Sequence, residues 1–119
     1  PEDHVGAVEP TGAATLRTSR DAGRPVDIEV NSLAGDSLGA TRIGAIAWET
    51  LHESSVDSVV VEDDSIRQAR AFLWREFRIL VELGTAAALA PVLNGTVSPP
   101  SDGELCVVLC GANTHPTDL

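Results

Sequence analysis

The sequence predicts an α/β fold with a mostly parallel sheet, and three observations predict it. Residues 104–113, ELCVVLCGAN, form an apolar run bounded by Asp102-Gly103 and stopped at Gly111, the pattern of a strand buried on both faces. Residues 56–61 hold four valines in six positions, a second strand. Between such runs lie segments with apolar residues every three to four positions and with helix stop signals, so that strands and helices alternate as in βαβ units. In an open sheet of this kind ligands sit beyond the carboxyl ends of the strands. Cys110 and the Gly111-Ala112-Asn113 turn are therefore the first candidate site.

Taken in order, residues 5–8 are a short apolar run ending at Glu9-Pro10, where proline stops ladder hydrogen bonding. Thr11 is placed to cap a helix over residues 11–22, which Gly23 and Pro25 terminate. Val26, Ile28 and Val30 alternate with polar residues and predict a short extended segment at an edge. Residues 31–40, NSLAGDSLGA, are small, polar and glycine-rich. Lacking both GxGxxG and a Walker lysine, they read as a tight connection rather than a phosphate cradle. A helix is expected over residues 41–52, with Ile43, Ile46, Ala47 and Leu51 as its apolar stripe.

Glu62, Asp63 and Asp64 end the valine strand, and an aspartate there is expected to cap the next helix, with its neighbours favouring the positive helix end. Ile66, Ala69, Leu73 and Phe77 carry that helix to about residue 77. Residues 79–81 are a short apolar run, followed by an alanine-rich helix over residues 86–93 that Pro91 should end or bend. Glu82 stands between an apolar run and small residues, where an unpaired carboxylate is costly to bury; it either reaches solvent or is held by something specific. Residues 94–103, with Pro99-Pro100 and two glycines, form a surface loop leading to the final run.

Length and charge narrow the possibilities. A chain of 119 residues with 43% hydrophobic content suffices for a single domain. Four aromatic residues leave Val, Leu, Ile and Ala to build the core. The net charge of −10 disfavours nucleic acid and anionic membranes as partners, since both need clustered cations. No apolar stretch approaches the roughly 20 residues that span a bilayer, and the expected setting is the cytoplasm. On a strand, Cys106 and Cys110 would lie about 13 Å apart, beyond disulfide reach, and both are expected to be free thiols. His4, His52 and His115 are scattered and expected at the surface. The chain opens on Pro1 and contains no Met, Tyr or Lys, which suggests a portion of something longer, 1–119 being a single partial domain.

Five pieces in order resemble a known family: Val8-Glu9-Pro10; Ala34-Gly35-Asp36-Ser37-Leu38-Gly39-Ala40; Val59-Val60-Val61-Glu62-Asp63; Val81-Glu82 with Gly84-Thr85-Ala86-Ala87-Ala88-Leu89-Ala90; and Val107-Val108-Leu109-Cys110-Gly111-Ala112-Asn113. Together they resemble the carboxyl-terminal part of the serine/threonine dehydratases, pyridoxal-phosphate enzymes of fold type II that also include serine racemase. The resemblance implies a partial three-layer αβα domain, the C-terminal part of the large domain of such an enzyme. It implies pyridoxal 5'-phosphate as cofactor, a small amino acid as substrate, and L-threonine or L-serine converted to a 2-oxo acid and ammonia.

By the same resemblance Cys110, followed by Gly111, takes the place of the serine or cysteine that hydrogen-bonds the cofactor's pyridine nitrogen. Ser37, where relatives often carry glycine, becomes part of the active-site wall with Asp36 and Leu38. Glu82 matches the glutamate of the family's Glu-Pro-x-x-Gly-Ala segment, with Leu83 replacing the proline. Glu9, Ala13 and Thr15 fall where some relatives bind a metal cation, although Thr15 replaces a charged ligand. The family's Schiff-base lysine and its phosphate loop have no counterpart in the chain, so no catalytic residue is assigned and the chain alone is expected to be inactive. The expected partners are the missing amino-terminal portion of the same enzyme and, because an uncovered sheet edge favours association, further copies in a homo-oligomer. The alternative is a non-catalytic remnant acting as a structural or oligomerising module.

Overall fold

The two valine-bearing runs pair in parallel. In the computed structural model, which describes residues 3–117 and 119, β1 (Gly6–Pro10) and β2 (Asp57–Val61) align Gly6 with Asp57, Val8 with Val59 and Pro10 with Val61. Pro10 ends the strand without interrupting it, because the last position of an edge strand needs no N–H. The connection between them carries a 3-10 turn (Thr11–Ala13) and the helices α1 (Thr15–Ala22), α2 (Gly35–Leu38) and α3 (Ala45–Leu51). After β2 come α4 (Asp63–Phe77) and α5 (Leu83–Leu93). The core lies where α4 and α5 pack on the sheet: Val61, Ile66, Ala69, Leu73, Ala86 and Ala90 are all buried. The fold is thus α/β with a parallel sheet, as the sequence predicts.

Three expected extended segments carry no ladder. Residues 26–30, 79–81 and 104–113 have strand-like composition, yet the described residues offer them no neighbour with which to exchange hydrogen bonds along their length. Residues 79–82 and 104–113 meet at one point, where the Glu82 N–H donates to the Gly111 carbonyl at 3.1 Å. The consequence is exposure of residues suited to a sheet interior: Val108 is 68% exposed. β-propensity describes a side chain that fits a half-buried pleat, and without a neighbour it does not make a strand.

Caps also differ from expectation. Thr11 donates its hydroxyl to the Val61 carbonyl and to Glu62, and the task of capping α1 falls to Glu9. Both Glu9 carboxylate oxygens accept from the first turn of that helix, from Leu16 N–H at 2.7 Å and Arg17 N–H at 3.1 Å. Gly23 closes α1 in the left-handed conformation (φ 71°). Asp63 does not cap α4; it accepts from Ser32 Oγ at 2.6 Å and Leu33 N–H at 2.9 Å, tying the 31–40 loop to the start of α4. Of the stripe expected for α3, Ala47 and Leu51 line a cleft together with Ile43, which precedes the helix, whereas Ile46 is 82% exposed; the helix begins only at Ala45 because Gly44 is extended. Helix α5 starts at Leu83, three residues earlier than expected, and runs past Pro91, whose missing N–H falls in the last turn.

The Glu9 cap supports a first prediction. Glu9→Ala leaves two N–H groups of α1 without acceptors, and the loss is expected to be about 1–2 kcal/mol, read as a lower midpoint in urea unfolding. An unchanged midpoint would show that α1 does not depend on this carboxylate.

Candidate functional site

The start of α5 is where the sequence-predicted residues meet. Thr85, buried in the first turn, donates its hydroxyl to the Gly111 carbonyl at 3.1 Å and stands 3.9 Å from Cys110 Sγ. The same carbonyl receives the Glu82 N–H, so helix and turn are joined at a single oxygen. Gly111 is required by proximity: a Cβ there would lie 1.7 Å from Glu82 Oε1 and 3.2 Å from Thr85 Oγ1. On the other side, the Gly84 N–H donates to Ser37 Oγ at 3.0 Å, which seats α2 against α5. Thus Glu82, Cys110, Gly111 and Ser37 all gather around residues 82–85.

Glu9, Ala13 and Thr15 lie elsewhere. They line an open cleft of about 400 Å³ together with Ala47 and with Ser37 and Leu38, which also face Gly84 at the start of α5. Glu9 is engaged with α1, and the Thr15 hydroxyl donates to the Ala40 carbonyl at 2.8 Å. Among the described residues no group of three His, Cys, Asp or Glu side chains is placed to hold a metal ion. No helix of the described residues is long and apolar enough to cross a membrane.

Two residues of the site were not singled out from sequence. Thr85 is one; its position three residues after Glu82, on the same helix face, is the available signal. Arg70 of α4 is the other. It is 3% exposed, and its Nε donates to the Val81 carbonyl at 2.9 Å, immediately before Glu82. Its spacing of four from Ile66 and three from Leu73 puts it on the buried stripe rather than the solvent face.

The donor set can be tested against a pyridine-containing cofactor. Cys110 is an exposed free thiol, a weak donor and acceptor, beside a glycine that leaves room no Cβ could share. That suits an aromatic ring nitrogen. It does not suit a phosphate, since Glu82 brings a carboxylate to the same place and the chain contains no lysine. The residues present fit the ring end of such a cofactor and leave its phosphate to be held by groups outside this site.

Comparison with known proteins points the same way. Residues 1–111 match the family model described as pyridoxal-phosphate dependent enzyme. Phenylserine dehydratase of Ralstonia pickettii is 30% identical over 114 residues, covering 96% of this chain and 35% of the relative. The T.th. threonine deaminase superposes with a TM-score of 0.82 at 27% identity, covering 94% of this chain and 40% of that one. Maize serine racemase gives a TM-score of 0.67 at 30% identity over 73% of this chain and 27% of its own. The chain therefore spans between about a quarter and a third of the length of curated relatives that it matches, from 23% to 36%.

Proposed function

We propose, from the premise that the chain belongs to the pyridoxal-phosphate-dependent enzyme family, that it forms the ring-nitrogen side of the cofactor pocket of an L-threonine/L-serine dehydratase. The single observation that carries this is the convergence of Cys110, Gly111, Thr85 and Glu82 on the first turn of α5.

Pyridoxal phosphate, when bound, supplies an electron sink for bonds at the substrate's α-carbon. This chain's residues decide how that sink is tuned. The Cys110 thiol would hydrogen-bond the ring nitrogen without placing a negative charge beside it. A neutral partner leaves that nitrogen largely unprotonated and the sink moderate, which favours loss of the β-hydroxyl over transamination. Gly111 keeps the approach open, and Thr85 fixes the carbonyl that orients the turn. Ser37, held by the Gly84 N–H, would form the wall next to the ring, and Glu82 would lie along its edge. The amine and phosphate loop would come from an amino-terminal portion of the same enzyme, so the 119 residues alone would be inactive.

For Glu9, Ala13 and Thr15 the better-supported role is structural. A cation would have to draw the Glu9 carboxylate away from two N–H donors, and Thr15 brings no charge. A second reading, a non-catalytic module that associates through its uncovered apolar run, is favoured only by the exposure of Val108 and Leu109. That run is equally suited to meet the rest of the enzyme's sheet.

Expression of the whole reading frame with pyridoxal phosphate decides between them. Formation of 2-oxobutyrate from L-threonine, or pyruvate from L-serine, is the expected result. A cofactor-loaded protein that releases neither, and whose sedimentation shows only self-association, would support the second reading.

A further inference from the structure

The turn that carries Cys110 is held at both ends, and one buried side chain accounts for the far end. Upstream, residues 104–109 have no ladder, so no strand register fixes them. At Gly111 the turn is tied to α5 by the Glu82 N–H and the Thr85 hydroxyl. Just downstream, the Thr114 N–H closes back on the Ala112 carbonyl at 2.9 Å. There the Arg70 guanidinium takes over: one terminal nitrogen donates to Thr114 Oγ1 at 3.0 Å and to the His115 carbonyl at 2.7 Å, while Nε holds the Val81 carbonyl. Val81 leads into Glu82, and Thr114 follows Asn113. A single planar group thus spans the two chain segments that enter and leave the site, and its rigid fork fixes their spacing as a flexible ammonium would not.

We propose that Arg70 is a positioning residue. By clamping residues 81 and 114–115 together it sets where the Cys110 thiol stands relative to the first turn of α5, and through that thiol the seat of the cofactor ring. This rests on the reading of Cys110 given above.

The test uses the full-length protein carrying Arg70→Met, Arg70→Lys, Thr114→Val and, separately, Cys110→Ala. Two quantities are read: the dissociation constant and absorption band of bound pyridoxal phosphate, and the rate of Cys110 alkylation relative to Cys106 in the cofactor-free protein. Arg70→Met is expected to weaken cofactor binding about tenfold, the equivalent of one charge-assisted hydrogen bond, and to change the alkylation ratio. Arg70→Lys should recover part of both effects, since an ammonium can reach one of the acceptors. Thr114→Val removes an acceptor without touching α4 and should move both readouts in the same direction by less; it decides the matter if Arg70→Met does not accumulate. Wild-type binding and a wild-type alkylation ratio in both Arg70→Met and Thr114→Val would overturn the inference. If Cys110→Ala leaves the cofactor's affinity and band unchanged, the cofactor reading of Cys110 fails instead, and the alkylation ratio alone then decides whether Arg70 positions the turn.

Discussion

Gly12→Ala is expected to be strongly damaging, lowering stability by about 3 kcal/mol or more. A Cβ on Gly12 would lie 1.8 Å from the Asn31 carbonyl oxygen and 2.7 Å from its carbon. Both atoms are backbone, so no rotamer change relieves the clash. The contact is also a bonded one, for the Asn31 N–H donates to the Gly12 carbonyl at 2.8 Å. To admit a methyl group, the 3-10 turn after β1 must part from the loop that leads to Ser37. For a chain of this size the loss corresponds to a fall in melting temperature of about 10 °C or more. Gly6→Ala is the control: nothing lies within 4 Å of a Cβ there, and it should melt close to the wild type. Equal melting temperatures for the two variants would mean that the 31–40 loop is not seated on this turn. Because that loop carries Ser37, any Gly12→Ala protein that does fold is also expected to have a disturbed pocket wall.

Cys110→Asp is expected to reduce 2-oxo acid formation by the full-length enzyme on the order of tenfold or more, while Cys110→Ser should stay within a few-fold. The difference is charge, not size. A hydroxyl replaces the thiol as a neutral partner, whereas a carboxylate would hold a proton on the ring nitrogen and deepen the electron sink. A deeper sink gives competing reactions at the α-carbon, racemisation and transamination, more time relative to β-elimination. Steady-state assays of 2-oxo acid release and of substrate stereochemistry, run side by side, separate a lost enzyme from a redirected one. Equal dehydratase rates for the Asp and Ser variants would remove the electronic role assigned to Cys110.

How much of this was legible in the sequence differs by element. Helix α4 was, because Ile66, Ala69 and Leu73 repeat at helical spacing and are buried, although Phe77 at its end is 60% exposed. Strand β2 was legible from its valines. Residues 104–113 have the pattern of a strand buried on both faces, yet they form no ladder among the described residues; composition marks what a segment can pair with, not whether a neighbour is present. The sequence pattern starts α5 three residues late because Gly84 suggests a connection, while in the structure Gly84 is small so that Ser37 Oγ can stand 2.4 Å from where its Cβ would be.

At the site, Cys110, Gly111, Glu82 and Ser37 were each named from sequence, and the structure brings them around one helix start. What the sequence did not show was the means of holding them there. Arginine in an amphipathic helix is ordinarily a solvated residue, and only its spacing from Ile66 and Leu73 reveals that Arg70 points inward. Capping by Glu9 was equally hidden, since the carboxylate reaches α1 across the intervening 3-10 turn rather than from the N-cap position.

The most direct test of the central claim is the nitrogen-15 chemical shift of pyridoxal phosphate labelled at the ring nitrogen and bound to the full-length protein. With Cys110 as partner the shift is predicted to be that of an unprotonated pyridine, moving to the protonated range in Cys110→Asp. A protonated nitrogen in the wild type, or a shift indifferent to Cys110→Asp, would contradict the placement of this thiol against the ring.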